Sequence, residues 1–293
     1  MSRAVAQSID EEAVSHAHLA EQSGTLMWRH IESEYTQDIH QIAATLATDA
    51  PLAWTLANDF ADDGTVRFLT GTTVDEIRGQ YGELRKQIEI HRWQATLEIR
   101  QGWYTVSQGV CTAKHVPTGT MNRSETVTLF PVGNDGILGE IQVGIVGHRK
   151  DGGVPSDSGD LPEKRLAALA FHDTYVDALR NEDVAAIVAA HAPKVTAAIR
   201  NYLTDDSHLL STNGPDELAA YFTSLFARYR VLDVQLVTRI AETWYVFAEL
   251  HWTVEERAGS GRTLEFCTAE LAPFGDDGTY LVRTGSGTHP VEL

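Results

Sequence analysis

Few side chains in this sequence stand at spacings that could do chemistry on their own. Glu249 and His251 are two apart in a strand-like run, so their side chains share a face. A carboxylate beside an imidazole can fix its tautomer and let the ring move protons. Phe247 and Thr253 lie on that face, while Val246, Ala248, Leu250, Trp252 and Val254 make the other one apolar. If the apolar side packs on another sheet, Glu249 and His251 line a cavity; if it lines the cavity, they meet solvent. Charged side chains are seldom fully buried, which favours solvent. His30 and Glu34 share a helical face but have no evident third ligand, and His16 and His18 point different ways. The sequence has no His-Glu-x-x-His, no phosphate-binding glycine loop and no Gly-x-Ser-x-Gly. No cofactor, metal or nucleotide is therefore expected. Cys111 and Cys267 form no Cys-x-x-Cys spacing and read as two buried thiols.

The charge balance narrows the partners. Forty-one acidic against 23 basic side chains leave a formal net charge of −18. Binding a phosphate backbone takes a basic face, and an anionic membrane surface repels such a chain, so neither nucleic acid nor membrane is an expected partner. No apolar run approaches the ~18 residues of a membrane span, and Gln7 to Glu12 is acidic and polar where a signal peptide would be basic and then apolar. A cytoplasmic location is the expectation.

Whatever chemistry there is must be positioned by elements that occur twice. Trp103-Tyr104 matches Trp244-Tyr245 at an offset of 244 − 103 = 141. Pro131-Val132-Gly133-Asn134-Asp135-Gly136 matches Pro273-Phe274-Gly275-Asp276-Asp277-Gly278 at 142, and Asp75-Glu76 matches Asp216-Glu217, each opening a helix after a glycine. Such order marks an internal duplication. In the second copy Leu166 to Leu179 has helical spacing, Val184 to His191 reads as a short helix stopped by Pro193, and Gly214 to Phe226 is a third helix. Strand patterns follow over Val231–Ile240, Trp244–Glu255, Thr263–Phe274 and Tyr280–Ser286, the last two joined by the Asp276-Asp277-Gly278 turn. The first copy repeats this, with a third helix at Val74–Lys86 and strands near Glu89–Ile99, Trp103–Val116, Ser124–Pro131 and Ile137–Val146. Helices first and strands afterwards imply an α+β class with helices on one sheet face. The expected organisation is an N-terminal extension over 1–27, a first domain over 28–148, a linker over 149–162 and a second domain over 163–293.

The run Tyr175 to Val188, and the later Gly214-Pro215-Asp216-Glu217-Leu218-Ala219-Ala220-Tyr221-Phe222, resemble the opening and third-helix start of SnoaL-like and ketosteroid-isomerase-like domains of the nuclear-transport-factor-two-like superfamily. The resemblance covers most of 165–288, and the first copy fits more loosely over about 30–148. It implies two cone-shaped domains, each three helices packed on a bent antiparallel sheet, with a conical pocket for a small, fairly apolar molecule. In the isomerase branch a tyrosine and a protonated acid donate hydrogen bonds to an enolate. Tyr175 and Glu270 fall at those positions, whereas the family's base falls near Asn201, which cannot accept a proton; Asp205 or Asp206 would have to replace it. In the first copy His91 stands where SnoaL-like dehydratases carry a catalytic histidine, with Asp38 or Asp49 as the available acids. Leu232 takes the place of His91 in the second copy (91 + 141 = 232), so the copies do not share one chemistry. The resemblance implies a cofactor-independent lyase or isomerase acting by proton abstraction or enolate stabilisation. The alternative is a non-catalytic ligand-binding or assembly protein in which the copies form an intrachain pseudo-dimer, with further homo-oligomerisation left open.

Overall fold

The computed structural model describes residues 3–48, 52–60, 66–145, 162–203, 209–259, 261–275 and 277–293. The expected linker core, Asp49, and Asp205 with Asp206 lie outside them. Two compact units are formed, Met1–Leu56 with Leu69–Val154, and Pro155–Leu293 with Ala57–Phe68. The first copy runs α1 (Arg3–Tyr35), α2 (Ile39–Ala43), β1 (Trp54–Phe60), β2 (Val66–Gly71), α3 (Val74–Gln87), β3 (Ile88–Arg100), β4 (Tyr104–His115), β5 (Thr120–Pro131) and β6 (Ile141–Ile145), Ala57–Phe68 at the β1 and β2 tips being grouped with the second unit. The second runs α4 (Pro162–Arg180), α5 (Val184–Ala189), β7 (His191–Arg200), β8 (Leu210–Asn213), α6 (Gly214–Arg228), β9 (Tyr229–Ala241), β10 (Tyr245–Glu256), β11 (Thr263–Pro273), β12 (Tyr280–Gly287) and β13 (Val291–Glu292). Helix α1 passes residue 27 without a break.

The sheet orders are β2-β1-β6-β5-β4-β3 and β8-β7-β12-β11-β10-β9, the same path twice. Long antiparallel ladders dominate, and β12 pairs β7 in parallel. The local chemistry that starts each helix recurs as well. After α1 and after α4 the chain turns through one left-handed residue, Gln37 at φ 58° and Glu182 at φ 54°. The next residue caps the following helix: Asp38 accepts from the backbone of His40 and Gln41, and Asp183 from Ala186. Gly214, at φ +81°, makes the left-handed bend before α6, with Pro215 where a first turn tolerates proline.

Pro193 does not stop a helix. Helix α5 has already ended at Ala189, and Pro193 sits exposed near the start of β7. It precedes the stretch from Thr196 that pairs with β8, so its missing N–H costs that ladder nothing. Strands β1, β2, β7 and β8 carry no strong alternation, and the sequence predicts none of them.

In the second unit Val246, Ala248, Leu250, Trp252 and Val254 face the helices and form the core with Leu218, Phe222, Leu225 and Phe226 of α6. Trp252 stacks on Phe266 at 5.8 Å and donates to Thr268 at 3.0 Å. Each such buried side chain contributes about 1.5–3 kcal/mol. The sheet's other face holds Glu249, only 4% exposed, and half-buried His251, 3.6 Å from Glu265. Glu249 is thus neither solvated nor in the cone, because the strand's outer face is itself buried at Phe247 and Leu271.

Candidate functional site

The first unit gathers four titratable side chains around one phenol oxygen, His30, Tyr81 and Glu140 buried and Glu34 half-buried. His30 and Glu34 come from α1, Tyr81 from α3, and Glu140 from the chain just before β6. The Tyr81 hydroxyl lies 2.7 Å from Glu34 Oε1, 3.1 Å from His30 Nε2, and hydrogen-bonds Glu140 Oε2. Trp54 Nε1 donates to the same Glu140 oxygen at 2.8 Å, and His30 Nε2 stands 3.6 Å from it. Nδ1 of His30 is 2.6 Å from Thr45 Oγ1, whose own proton goes to the Ile42 carbonyl at 2.7 Å. Thr45 therefore accepts from His30 Nδ1–H.

Counting protons fixes the charge states. A phenol has one proton, so it cannot donate to two carboxylates at once. Tyr81 donates to Glu140, and Glu34 supplies its own proton toward the phenol oxygen. The electrostatics agree. Burial, then the charge of Glu140, pushes the Glu34 carboxyl up to about 7. Burial would raise Glu140 too, but His30, Tyr81 and Trp54 outweigh it and hold Glu140 below the ordinary carboxylate range. Burial opposes the charged form of His30, yet the hydrogen bond and charge of Glu140, with the charge of Glu34, lift it above its usual value. These directions favour a His30⁺–Glu140⁻ pair, with the proton of Glu34 facing the Tyr81 oxygen. His30, Glu34 and Glu140 could together ligate a cation, but the Tyr81 hydroxyl occupies the point between their ligand atoms.

Matching the two units shows what is particular to the first. The helix caps Asp38 and Asp183 differ by 183 − 38 = 145, which sets His30 against Tyr175 and Glu34 against Leu179. The C-caps Ile88 and Tyr229 differ by 141, which sets Tyr81 against Phe222. Leu129 pairs Ile141 and Leu271 pairs Thr284, so Glu140 takes the place of Arg283. Cys111 pairs Ser124 where Trp252 pairs Phe266. Half-buried Cys111, Ala113 and Ser124 thus replace the buried Trp252, Val254 and Phe266 that fill the second interior. Burial, and after it the charge of Glu34, pushes the Cys111 thiol up to about 11.

The second unit's interior is built on an ion pair. Glu270 of β11 accepts from Arg283 Nε at 2.9 Å and from Nη2 at 2.6 Å. The guanidinium also lies over the rings of Phe222 and Tyr175, at 5.0 and 5.8 Å. Two voids flank the pair. One is bounded by His172, Tyr175, Val246, Glu270, Tyr280 and Arg283 among others. The other includes Asn201, Tyr221, Trp252 and Phe266 in its walls. Each has standing room for about one water molecule.

The residues singled out from sequence fare unequally. Tyr175 and Glu270 come together at one void. Glu270 cannot donate as a neutral acid, however, because a bidentate bond to a guanidinium holds a carboxylate as the accepting anion. Asn201 is engaged in structure, its Nδ2 donating to the Tyr221 hydroxyl and its Oδ1 accepting from Leu203 N. His91 starts outward on β3 with its side chain 43% exposed, 3.4 Å from Glu89. Asp38 is spent as the α2 cap. These two are not brought together, since strand alternation and capping turn them to different tasks. His30 and Glu34 were visible as a helical pair, but Glu140 lies 106 residues beyond Glu34 and has no local signature.

These observations define an α+β cone present twice, with unlike interiors. The model of the SnoaL-like domain matches residues 172–271, which lie within the second unit. No curated protein matches the chain. Among solved structures, an NTF2-like protein from Burkholderia xenovorans is 11% identical, covering 42% of this chain and 89% of its own, with a TM-score of 0.35. An LEH-like epoxide hydrolase from M. tuberculosis is 14% identical over 43% of this chain and 85% of its own, TM-score 0.35. A ketosteroid isomerase-like protein from Erwinia carotovora atroseptica is 16% identical over 43% and 96%, TM-score 0.34. No described helix is long and apolar enough to cross a membrane.

Proposed function

We propose that the chain is a cofactor-independent acid–base enzyme, a lyase or isomerase for a small, fairly apolar molecule, and that its first unit is the catalytic half. The observation that carries this is the split between two carboxyls sharing one phenol: buried Glu140 held below the ordinary carboxylate range, half-buried Glu34 raised to about 7. Environments that push paired groups apart assign acid and base roles, and a carboxyl titrating near working pH is the efficient proton carrier. Ionised Glu34 would take a proton from a carbon beside a carbonyl, the electron pair passing to the carbonyl oxygen. The neutral acid would then return that proton to the product. Tyr81 and the His30–Glu140 pair are positioning residues that set the carboxyl's pKa. The exchange of Trp252 and Phe266 for Cys111 and Ser124 supports room for a guest in this unit rather than in the filled one.

The test needs no known substrate. The protein is incubated in D₂O with a panel of small ketones, lactones and β-keto esters, and deuterium entering each compound is read by mass spectrometry. Enzyme-dependent exchange that falls ~10²–10⁴-fold in Glu34→Gln is expected from the usual size of acid–base catalysis. A panel that exchanges no faster than in buffer, or a Glu34→Gln protein as active as the parent, overturns the proposal.

A further inference from the structure

Near the β4–β5 turn and its counterpart between β10 and β11, the two sheets carry opposite charge. In the first unit Arg92 of β3 pairs Thr112 of β4, which pairs Arg123 of β5. In the second, Asp233 of β9 pairs Thr253 of β10, which pairs Glu265 of β11. The places correspond at the repeat's offsets, 233 − 92 = 141 and 265 − 123 = 142, so the scaffold does not dictate a charge there. Both arginines are exposed; Arg92 reaches Gln94 at 3.3 Å, and Arg123 has no ion-pair partner among the described residues. Lys114, two residues from Thr112 and on the same face, adds a third cation 3.5 Å from Glu89, and Glu125 bounds the row on the other side. In a chain of net charge −18 this row reverses the local field.

The backbone beside the row is open as well. Strand β5 pairs β6 only over residues 125–129, so among the described residues no strand pairs 120–124 on the side away from β4. The matching edge of β11 is covered: β13 pairs Glu292 with Leu264 and Val291 with Glu265. That added strand brings an acid, and Glu292 stands 3.7 Å from Arg262 Nη1. The sequence after β6 instead reads Gly147-His148-Arg149-Lys150, which repeats the charge of Arg123 rather than opposing it. Met121, 50% exposed, and Val116, 42% exposed, give the edge apolar footing.

We propose that residues 120–124 dock an acidic, extended peptide segment of a partner protein, added to the sheet as an outer strand. An unpaired edge is a template for such a strand, whose backbone supplies the affinity while alternate side chains supply the choice of partner. A glutamate or aspartate on the face it shares with the row meets Arg123, with Arg92 and Lys114 behind. The cations draw acidic segments in and turn basic ones away. The row lies on the sheet face opposite Cys111 and Ala113, apart from the acid–base cluster, and neither reading depends on the other.

The test titrates the full chain into a fluorescein-labelled peptide, Gly-Glu-Val-Glu-Val-Glu-Gly, and into its lysine counterpart, reading anisotropy. Hydrogen exchange of the backbone amides is followed with and without each peptide. Saturable binding of the acidic peptide is expected, with exchange slowed at residues 120–124. The double variant Arg92→Glu with Arg123→Glu changes only exposed side chains, so it keeps the fold. It should weaken binding about tenfold, since two exposed attractions worth roughly two- to fivefold each become repulsions. The proposal is overturned if exchange at 120–124 does not change, if the double variant binds as tightly as the parent, or if the lysine peptide or an oligothymidylate binds equally well. It also falls if 120–124 in the free chain exchange as slowly as 125–129, which means the chain covers its own edge. A dimer in light scattering that the double variant dissolves would assign the row to a second copy instead.

Discussion

Replacing Glu34 by glutamine should stabilise the protein above neutral pH and leave it nearly unchanged in mild acid. The carboxyl is raised from 4.5 to about 7 by burial and by Glu140. A raised acid contributes stability that is complete below its unfolded pKa and lost as pH rises through its folded one. Between pH 4.5 and 8 the parent therefore loses up to about 2.5 × 1.36, or roughly 3 kcal/mol, as a second carboxylate is forced next to Glu140. Water admitted with the ionised form will soften this, so about 2–3 kcal/mol is the working figure. Glutamine keeps a donor for the Tyr81 oxygen and carries no charge to expel. At roughly 2–4 °C per kcal/mol, the variant should melt about 5–10 °C above the parent at pH 8.5 and within about 2 °C of it at pH 5. The loss due to His30, also raised, runs in the same direction and stays in both proteins. Thermal melts of parent and variant at half-unit steps from pH 5 to 8.5 decide the matter. A difference that does not change with pH would refute the proton assignment, and so would a variant less stable at pH 8.5.

Glu140→Gln should cost about 3–5 kcal/mol near pH 6, because it strands buried His30⁺, and less once alkali has neutralised the histidine; urea melts at pH 6 and 8.5 read both. Tyr81→Phe should cost about 1–3 kcal/mol at pH 6 by removing the bond shared among three partners, and NMR of the Glu34 side-chain carboxyl should show its titration midpoint displaced. Glu270→Gln should destabilise the second unit by about 3–5 kcal/mol, while Glu270→Leu with Arg283→Met recovers most of that loss, as buried pairs replaced whole usually do. Both thiols, pushed up to about 11 by burial, should react with iodoacetamide at pH 8 at under roughly 1% of the rate of an ordinary cysteine; fast labelling of Cys111 would show its surroundings to be wrong.

The repeat was readable because turns and caps are local chemistry. Trp103-Tyr104 and Trp244-Tyr245 even keep the same edge-on ring contact, at 4.8 and 4.6 Å. Helix α6 and the long strands β9 to β12 were readable for the same reason, since a glycine bend and strict alternation sit within a few residues. Strand β7 was not: Pro193 at its start imitates a helix stop, and only a partner strand shows that its N–H was never needed. The site was harder still. Strands repeat at 141–142 but the helix ends at 145, because the first copy spends 88 − 38 = 50 residues between caps where the second spends 229 − 183 = 46. Sliding the strand offset over α1 therefore puts Phe171, not Tyr175, opposite His30. Glu140 meets that helix only through long-range pairing, which no local pattern encodes.

One strand path with two unlike linings gives the molecule its own reference compartment. Every perturbation aimed at the proton cluster can be judged against a neighbour of the same build, in the same tube, whose interior holds a fixed ion pair instead. It also makes the linings exchangeable parts. The places of Tyr175, Leu179, Phe222 and Arg283 are those that a transplanted histidine, glutamate, tyrosine and glutamate would fill, with Thr128 showing what must then stand for Glu270 (128 + 142 = 270). The scaffold is indifferent to which chemistry it encloses, and the chain displays that indifference within itself.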